Sequence, residues 1–329
     1  MKNTGDQANR SLTAATPDFP TVETRRIAAL IRSLRPRQWT KNLIVFFGLI
    51  FGEQLRNPEA VTRATLAFAI FCALSGVVYL INDIRDREAD RLHPRKRNRP
   101  VASGEVPVPT AAAWAGVLTI LAAASIALAL VGVPSSLPAL WLGACVGVYV
   151  LNTTAYSLGL KHILILDVIS LAAGFVLRVI GGCAAAGVAP SPWLLNCTFF
   201  VAMFLAFGKR LGERRSMGPR AAGTRAVHEF YTDDLLRMAV VVTAVGSLLT
   251  YAEYTQAQAA RYTLGFNLLW LTVLPATYAM FRCIVLLESG KYDDPTELAS
   301  RDRPFQAAAL IFAAIVVALV LGLHPGTRG

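Results

Sequence analysis

A chain of 329 residues that is 54% hydrophobic and 16% charged is too apolar for an ordinary soluble domain, and its apolar residues fall in runs of near-membrane length. With 32 basic against 21 acidic side chains the formal charge is +11, but no nucleic-acid module accompanies that excess, so nucleic acid is not an expected partner. Cysteines without a CxxC pair and isolated histidines exclude a disulfide frame and a zinc cage, and no Ser/His/Asp triad, P-loop or dinucleotide fingerprint is present.

In chain order, residues 1–22 are polar and predict a disordered cytoplasmic tail, followed by a single transmembrane domain over 23–329. Arg25, Arg26 and Arg32 alternate with Ile27, Leu30, Ile31 and Leu34, which predicts an amphipathic interfacial helix over 23–36. Trp39 suits the interface where the first span begins. The fold class expected is all-α, a polytopic bundle of about nine spans of about 20 residues each. They run Leu43–Leu55, Ala64–Asp83, Thr110–Val131, Leu137–Leu151, Ile163–Gly182, Pro192–Phe207, Leu235–Glu253, Gly265–Leu287 and Phe305–Leu323. Pro275 predicts a kink in the eighth. Basic residues concentrate before span one and after spans two, four, six and eight. That asymmetry predicts a plasma (inner) membrane protein with its amino terminus and site cytoplasmic and its carboxyl terminus outside.

The second span ends in Asn82-Asp83-Ile84-Arg85-Asp86-Arg87-Glu88-Ala89-Asp90, with Lys96, Arg97 and Arg99 close behind. Asp83, Asp86 and Asp90 are three and then four residues apart, a spacing that predicts one shared helical face. Acids stacked in this way repel unless a cation sits among them, and hard oxygen ligands beside bases suit Mg2+ and a phosphorylated substrate. The plainer alternative is a solvated helix end whose acids pair with neighbouring arginines. Tyr79 lies one turn before Asp83 on the same face. Asp167 falls inside an apolar span, where ionisable groups are costly and are functional or paired, whereas Arg178 is expected to be structural near the outer end. Asp302-Arg303 fits either an ion pair that closes its loop or a substrate contact.

The order Asn82-Asp83-x-x-Asp86-x-x-x-Asp90 after a second span resembles the NDxxDxxxD signature of the UbiA superfamily of intramembrane transferases, and the likeness extends over essentially the whole chain beyond the tail. That resemblance implies a UbiA-like helical bundle around a cytoplasm-facing site, Mg2+ as cofactor, and a homo-oligomer, a trimer. Most members carry a second aspartate-rich motif after span six. Here that place reads Ala206-Phe207-Gly208-Lys209-Arg210-Leu211-Gly212-Glu213, so additional phosphate is expected in place of a second metal clamp. The segments Leu34–Asn42, His93–Pro100, Gly159–His162 and Asp302-Arg303 look like one branch, the decaprenyl-phosphate phosphoribosyltransferases.

What that branch implies is transfer of 5-phosphoribose from phosphoribosyl diphosphate (PRPP) to a polyprenyl (decaprenyl) phosphate in the bilayer. The products are polyprenylphosphoryl-5-phosphoribose, a lipid-linked precursor for cell-envelope arabinan (arabinogalactan), and diphosphate. Asp83 and Asp86 are the expected catalytic residues, and Asn82, Asp83, Asp86 and Asp90 the expected metal ligands. Lys41, Tyr79, Lys96, Arg99, Tyr156, Lys161, Lys209 and Arg210 are the expected substrate-binding residues. An aromatic prenyltransferase using a prenyl diphosphate is the alternative within the superfamily. A transporter binding cations at Asp83, Asp86 and Asp167 is the alternative outside it.

Overall fold

The computed structural model describes residues 22–92, 96–131, 137–217, 231–289 and 301–322. The expected tail before Val22, residues 93–95 of the basic run and the carboxyl terminus beyond 322 lie outside them. The described residues form helices, with one isolated antiparallel bridge from Thr263 to Asn267 and no strand. The long helices are α3 (Pro58–Arg85), α6 (Val108–Val131), α7 (Leu137–Leu158), α8 (Leu166–Ala186), α9 (Pro192–Met217), α10 (Asp233–Ala257), α12 (Val273–Glu288) and α13 (Arg303–Gly322). Shorter pieces are α1 (Val22–Ser33), α2 (Phe47–Phe51), α4 (Arg87–Leu92), α5 (Pro100–Ser103) and α11 (Ala259–Tyr262).

Seven helices among the described residues are long and apolar enough to cross a membrane, and α7, with 22 residues, occupies the place of the predicted fourth span. The predicted first span differs. It is a 3-10 helix over Pro36–Phe46 followed by the five-residue α2, not a regular apolar helix. The cause lies in its packing against α8. A Cβ on Gly182 would fall 1.9 Å from the Val45 carbonyl oxygen, and one on Gly48 would fall 2.7 Å from Cys183 Cα. Backbone lies on backbone here, as small residues allow inside membranes, where close packing rather than water drives association. Pro275, where a kink is expected, sits in the first turn of α12, directly after the 3-10 segment Leu268–Thr272, so the eighth span changes helix type just before the proline.

The helix starts are marked by side chains that accept otherwise unpaired N–H groups. Asn57 caps α3 at the amides of Glu59 and Ala60 (3.1 and 3.3 Å), Thr232 caps α10 at Leu235 (3.1 Å), and Asp302 caps α13 at Phe305 (3.0 Å). In the bundle α3 and α8 are innermost, with 56% and 50% of their apolar windows buried, against 17% for α6 and α13. One core joins Phe71 and Leu74 of α3 to Leu142 and Tyr149 of α7 and to Val45. A second joins Phe207 and Leu211 of α9, Leu236 of α10 and Leu287 of α12 around Tyr231. The outer faces carry Ile120, Leu249 and Leu310, each more than 60% exposed, as lipid-facing helices require.

Helix α1 covers most of the segment expected to form an interfacial helix. Ala29 is buried with Val77, Leu80 and Val101, Leu30 packs against the same cluster, and Ile27 and Ile31 stay exposed. Arg32 ties the helix to Glu105 at 2.6 Å.

The Gly182 contact is testable. Gly182→Val should lower the thermal unfolding midpoint in detergent, because overpacking costs about 1–3 kcal/mol. Gly147→Val, at a position where an added side chain meets open space, should leave the midpoint unchanged. Equal midpoints for the two variants would remove the close approach as a determinant of the fold.

Candidate active site

The charged helix end takes a shape that spacing along one helix does not predict. Helix α3 stops at Arg85, Asp86 caps it with φ −90° and ψ 8°, and α4 restarts at Arg87. Asp83 and Asp90 are buried, whereas Asp86, at the turn, is exposed, and the amides of Asp86 and Asp90 keep four-residue bonds to the carbonyls of Asn82 and Asp86, both at 2.8 Å. Arg99 Nη1 lies 3.3 Å from Asp83 Oδ1 and 2.6 Å from Asp90 Oδ2, and Arg35 Nη2 donates to Asp83 Oδ1 at 2.5 Å. Arg35 also lies over the Tyr79 ring, 4.5 Å from its centroid. Its backbone is left-handed (φ 52°), an uncommon conformation for a residue with a side chain of this size.

No group of three or more His, Cys, Asp or Glu side chains among the described residues is spaced to hold a metal ion. Asp83 and Asp90 nonetheless converge on one guanidinium nitrogen, so two carboxylate oxygens already share one cation. Hard oxygen donors converging in this way fit a divalent cation of the Mg2+ type.

Beside this cluster, α3, α7 and α8 enclose a polar cavity of about 200 Å³. Lys41, Tyr79, Asn82 and Tyr156 of the expected substrate and metal residues line it. Lys96 is exposed in a 3-10 turn, and neither it nor Lys161 nor Lys209 is among the lining residues. Arg178, expected to be structural, lines the cavity as well. Its guanidinium donates to Asn42 Oδ1 (2.6 Å), the Gly174 carbonyl (2.8 Å) and Tyr149 Oη (2.8 Å). The sequence signal for Arg178 was the one that singled out Asp167, an ionisable group inside an apolar span. Arg35, by contrast, carries no local signal beyond its place in the Leu34–Asn42 segment.

The basic replacement for a second aspartate motif is arranged differently from expectation. Arg210 is 3% exposed and its donors meet Asp167 (3.0 Å), Glu213 (2.9 Å) and Tyr156 Oη (3.4 Å). Two carboxylates therefore neutralise it inside the bundle, and it does not line the cavity. Tyr231 donates to the other Asp167 oxygen at 2.8 Å and accepts from the Ile165 amide at 3.0 Å. Burial and the bond to Asp167 push the Tyr231 phenol well up, so it stays a donor. Asp302 pairs with Arg282 (2.9 Å) rather than with Arg303, so its role is to cap and anchor α13.

A larger cavity of about 500 Å³ abuts the polar one, and Phe175 belongs to the lining of both. Phe47, Phe51, Trp193, Tyr251 and Phe312 are among its walls, which are almost wholly apolar. A small polar chamber beside a greasy one suits an amphiphile with its head in the first and its tail in the second.

The model of the UbiA prenyltransferase family matches residues 42–301. A decaprenyl-phosphate phosphoribosyltransferase of Mycolicibacterium smegmatis is 32% identical over 89% of this chain and 93% of its own length. The enzyme of that name from Corynebacterium glutamicum is also 32% identical, over 88% of this chain and 86% of its own. Among solved structures, a UbiA homologue from Archaeoglobus fulgidus bound to GPP and Mg2+ superposes with a TM-score of 0.65 at 18% identity, covering 89% of this chain and 99% of that one.

The Arg210 network generates a stability prediction. Arg210→Met leaves Asp167 buried without its cation and should cost about 3–5 kcal/mol, read as a fall in the unfolding midpoint in detergent. A midpoint equal to wild type would show that Asp167 is neutralised by another group.

Proposed function

The chain belongs to the UbiA prenyltransferase family, and on that premise we propose that it transfers 5-phosphoribose from PRPP to a polyprenyl phosphate, releasing diphosphate. The observation that carries the reading is the pair of chambers sharing Phe175, one polar and lined by Asn82, the chain neighbour of Asp83 in the Asp83–Arg99–Asp90 cluster, the other apolar. The names of the relatives at 32% identity support the same substrates.

In this reading the diphosphate end of PRPP lies at Asp83 and Asp90, with Asn82 and Asp86 completing the set that holds Mg2+. When bound, the metal supplies positive charge for the departing diphosphate. Arg35 and Arg99 are the residues beside those acids that would meet phosphate oxygens, with Lys96 and Lys41 near the mouth. Tyr79 and Tyr156 border the ribose. Lys161 and Lys209 are proposed to stand farther out, toward the polar ends of the substrates.

The chemistry asks little of a general base. A polyprenyl phosphate oxygen, already ionised, attacks the anomeric carbon. The bond from that carbon to the diphosphate oxygen breaks, and its electron pair leaves with the diphosphate. The protein contributes positioning and fixed positive charge in and beside the polar cavity. The site is proposed to open on the cytoplasmic face, where PRPP is soluble and the basic loops gather, and the apolar chamber takes the first isoprene units of the acceptor.

The alternative, prenylation of an aromatic ring, is favoured by the fold neighbour solved with GPP. It is opposed by the absence of aspartates at the second motif, where Lys209 and Arg210 stand.

Purified protein given labelled PRPP, Mg2+ and a polyprenyl phosphate should form a labelled lipid, and EDTA should abolish it. Asp83→Asn should lower the rate on the order of a hundredfold or more while the protein remains folded. A labelled lipid formed instead from a prenyl diphosphate and an aromatic acid, with PRPP inert, would refute the reading.

A further inference from the structure

The charge balance inside the bundle has one exception. Each buried carboxylate meets an arginine: Asp83 and Asp90 at Arg99, Asp167 at Arg210, Asp302 at Arg282. Arg178 is the reverse case. It stands in the inner helix α8, three turns from its start, and among the described residues no carboxylate lies within ion-pair distance of it. Its three hydrogen bonds go to neutral oxygens, those of Asn42, Gly174 and Tyr149, and the rings of Tyr149 and Phe175 lie 4.6 and 5.4 Å away. A guanidinium has five N–H donors, so two are left over, and its positive charge is matched only by dipoles and ring faces. A half-buried guanidinium matched only by dipoles and ring faces favours an arriving anion.

Arg178 is also held still. Asn42 is buried and bonded to Cys72 Sγ (3.2 Å), and it belongs to the 3-10 segment pressed onto Gly182, one turn further along α8. Tyr149 Oη is fixed by Ser75 Oγ at 3.1 Å. Ser75 and Asn82 both line the cavity from α3, seven residues apart, so about 10 Å separates the Arg178 end from the acid end.

We propose that Arg178, oriented by Asn42 and Tyr149, binds a phosphate monoester at the end of the polar cavity away from Asn82. The inference rests on the phosphoribosyl-transfer reading, in which both substrates carry such a group: the 5-phosphate of the donor and the phosphate of the lipid acceptor. A phosphate monoester supplies the missing negative charge and accepts the two remaining donors in the forked geometry that a guanidinium offers. That spacing along α3 separates this anion from the diphosphate proposed at Asp83 and Asp90, so the cavity would sort the ends of its ligands by position.

The test is equilibrium binding by calorimetry with the full chain in detergent. The probes are ribose 5-phosphate, farnesyl phosphate, inorganic diphosphate and 4-hydroxybenzoate. Arg178→Gln should weaken either ribose 5-phosphate or farnesyl phosphate about tenfold to a hundredfold, and leave inorganic diphosphate unchanged. A loss confined to ribose 5-phosphate assigns the site to the donor, and one confined to farnesyl phosphate assigns it to the acceptor. Arg178→Lys keeps the charge without the fork and should weaken the same ligand by a smaller factor. Unchanged affinity for both monophosphates overturns the proposal, in Arg178→Lys alone if Arg178→Gln does not fold. A loss seen only for 4-hydroxybenzoate overturns it in favour of a carboxylate ligand. None of these measurements needs turnover, so failure of wild type to use PRPP would be recognised separately.

Discussion

A carboxylate or guanidinium placed among membrane helices needs a partner of opposite charge or a set of dipoles in its place, and the architecture of this protein follows from meeting that demand. The pairs join elements far apart in sequence. Asp167 on α8 meets Arg210 on α9, Asp302 at the start of α13 meets Arg282 on α12, and Asp83 at the end of α3 meets Arg35 and Arg99 from the segments on either side of that helix. Each is weak evidence for stability, since desolvation offsets much of the attraction, but each fixes one register between two elements. Apolar surfaces that face both lipid and neighbouring helices set that register poorly by themselves.

The same demand explains which parts of the site could be read from the sequence. Apolar runs bounded by basic loops predict where helices lie, and the acidic end of α3 stands out because its charges are local. Lys41, Tyr79, Asn82 and Tyr156 line the cavity. Partners across helices are another matter. Arg210 looks like an open phosphate ligand until Asp167, 43 residues earlier, is found against it. Arg178 looks like a structural cation until Asn42, 136 residues earlier, is found turning it toward the cavity. Helical periodicity gives the face of a residue and is silent on what the face meets. The irregular first span is hidden for a related reason. Its 3-10 geometry goes with the backbone contact at Gly182, and within Leu43–Leu55 the small residue Gly48 is a trace of that contact that does not name its partner.

The acid end of α3 changes meaning once its break is seen. A continuous helix would stack three carboxylates and require a cation to relieve them. At the turn Asp86 is exposed, while the other two acids meet a single arginine. Asp83 and Asp90 are thus balanced by the protein's own side chains, and on the proposed reading an incoming cation with its phosphates would exchange for arginine rather than fill an unbalanced void. The proposed transfer fits that exchange, because arginines displaced from carboxylates are the natural partners of the arriving phosphate oxygens.

The apolar chamber has one more consequence. At about 500 Å³ it has room for on the order of fifteen carbon groups, if each takes roughly the 30 Å³ of a water in the liquid. A long polyprenyl tail is larger, so on the proposed reading most of it remains among the acyl chains of the bilayer. The protein would then recognise its lipid by the head and the first few units alone. Which carrier lipid is consumed would be decided by what the surrounding membrane contains, and a cell could lengthen or shorten its carriers without altering this fold.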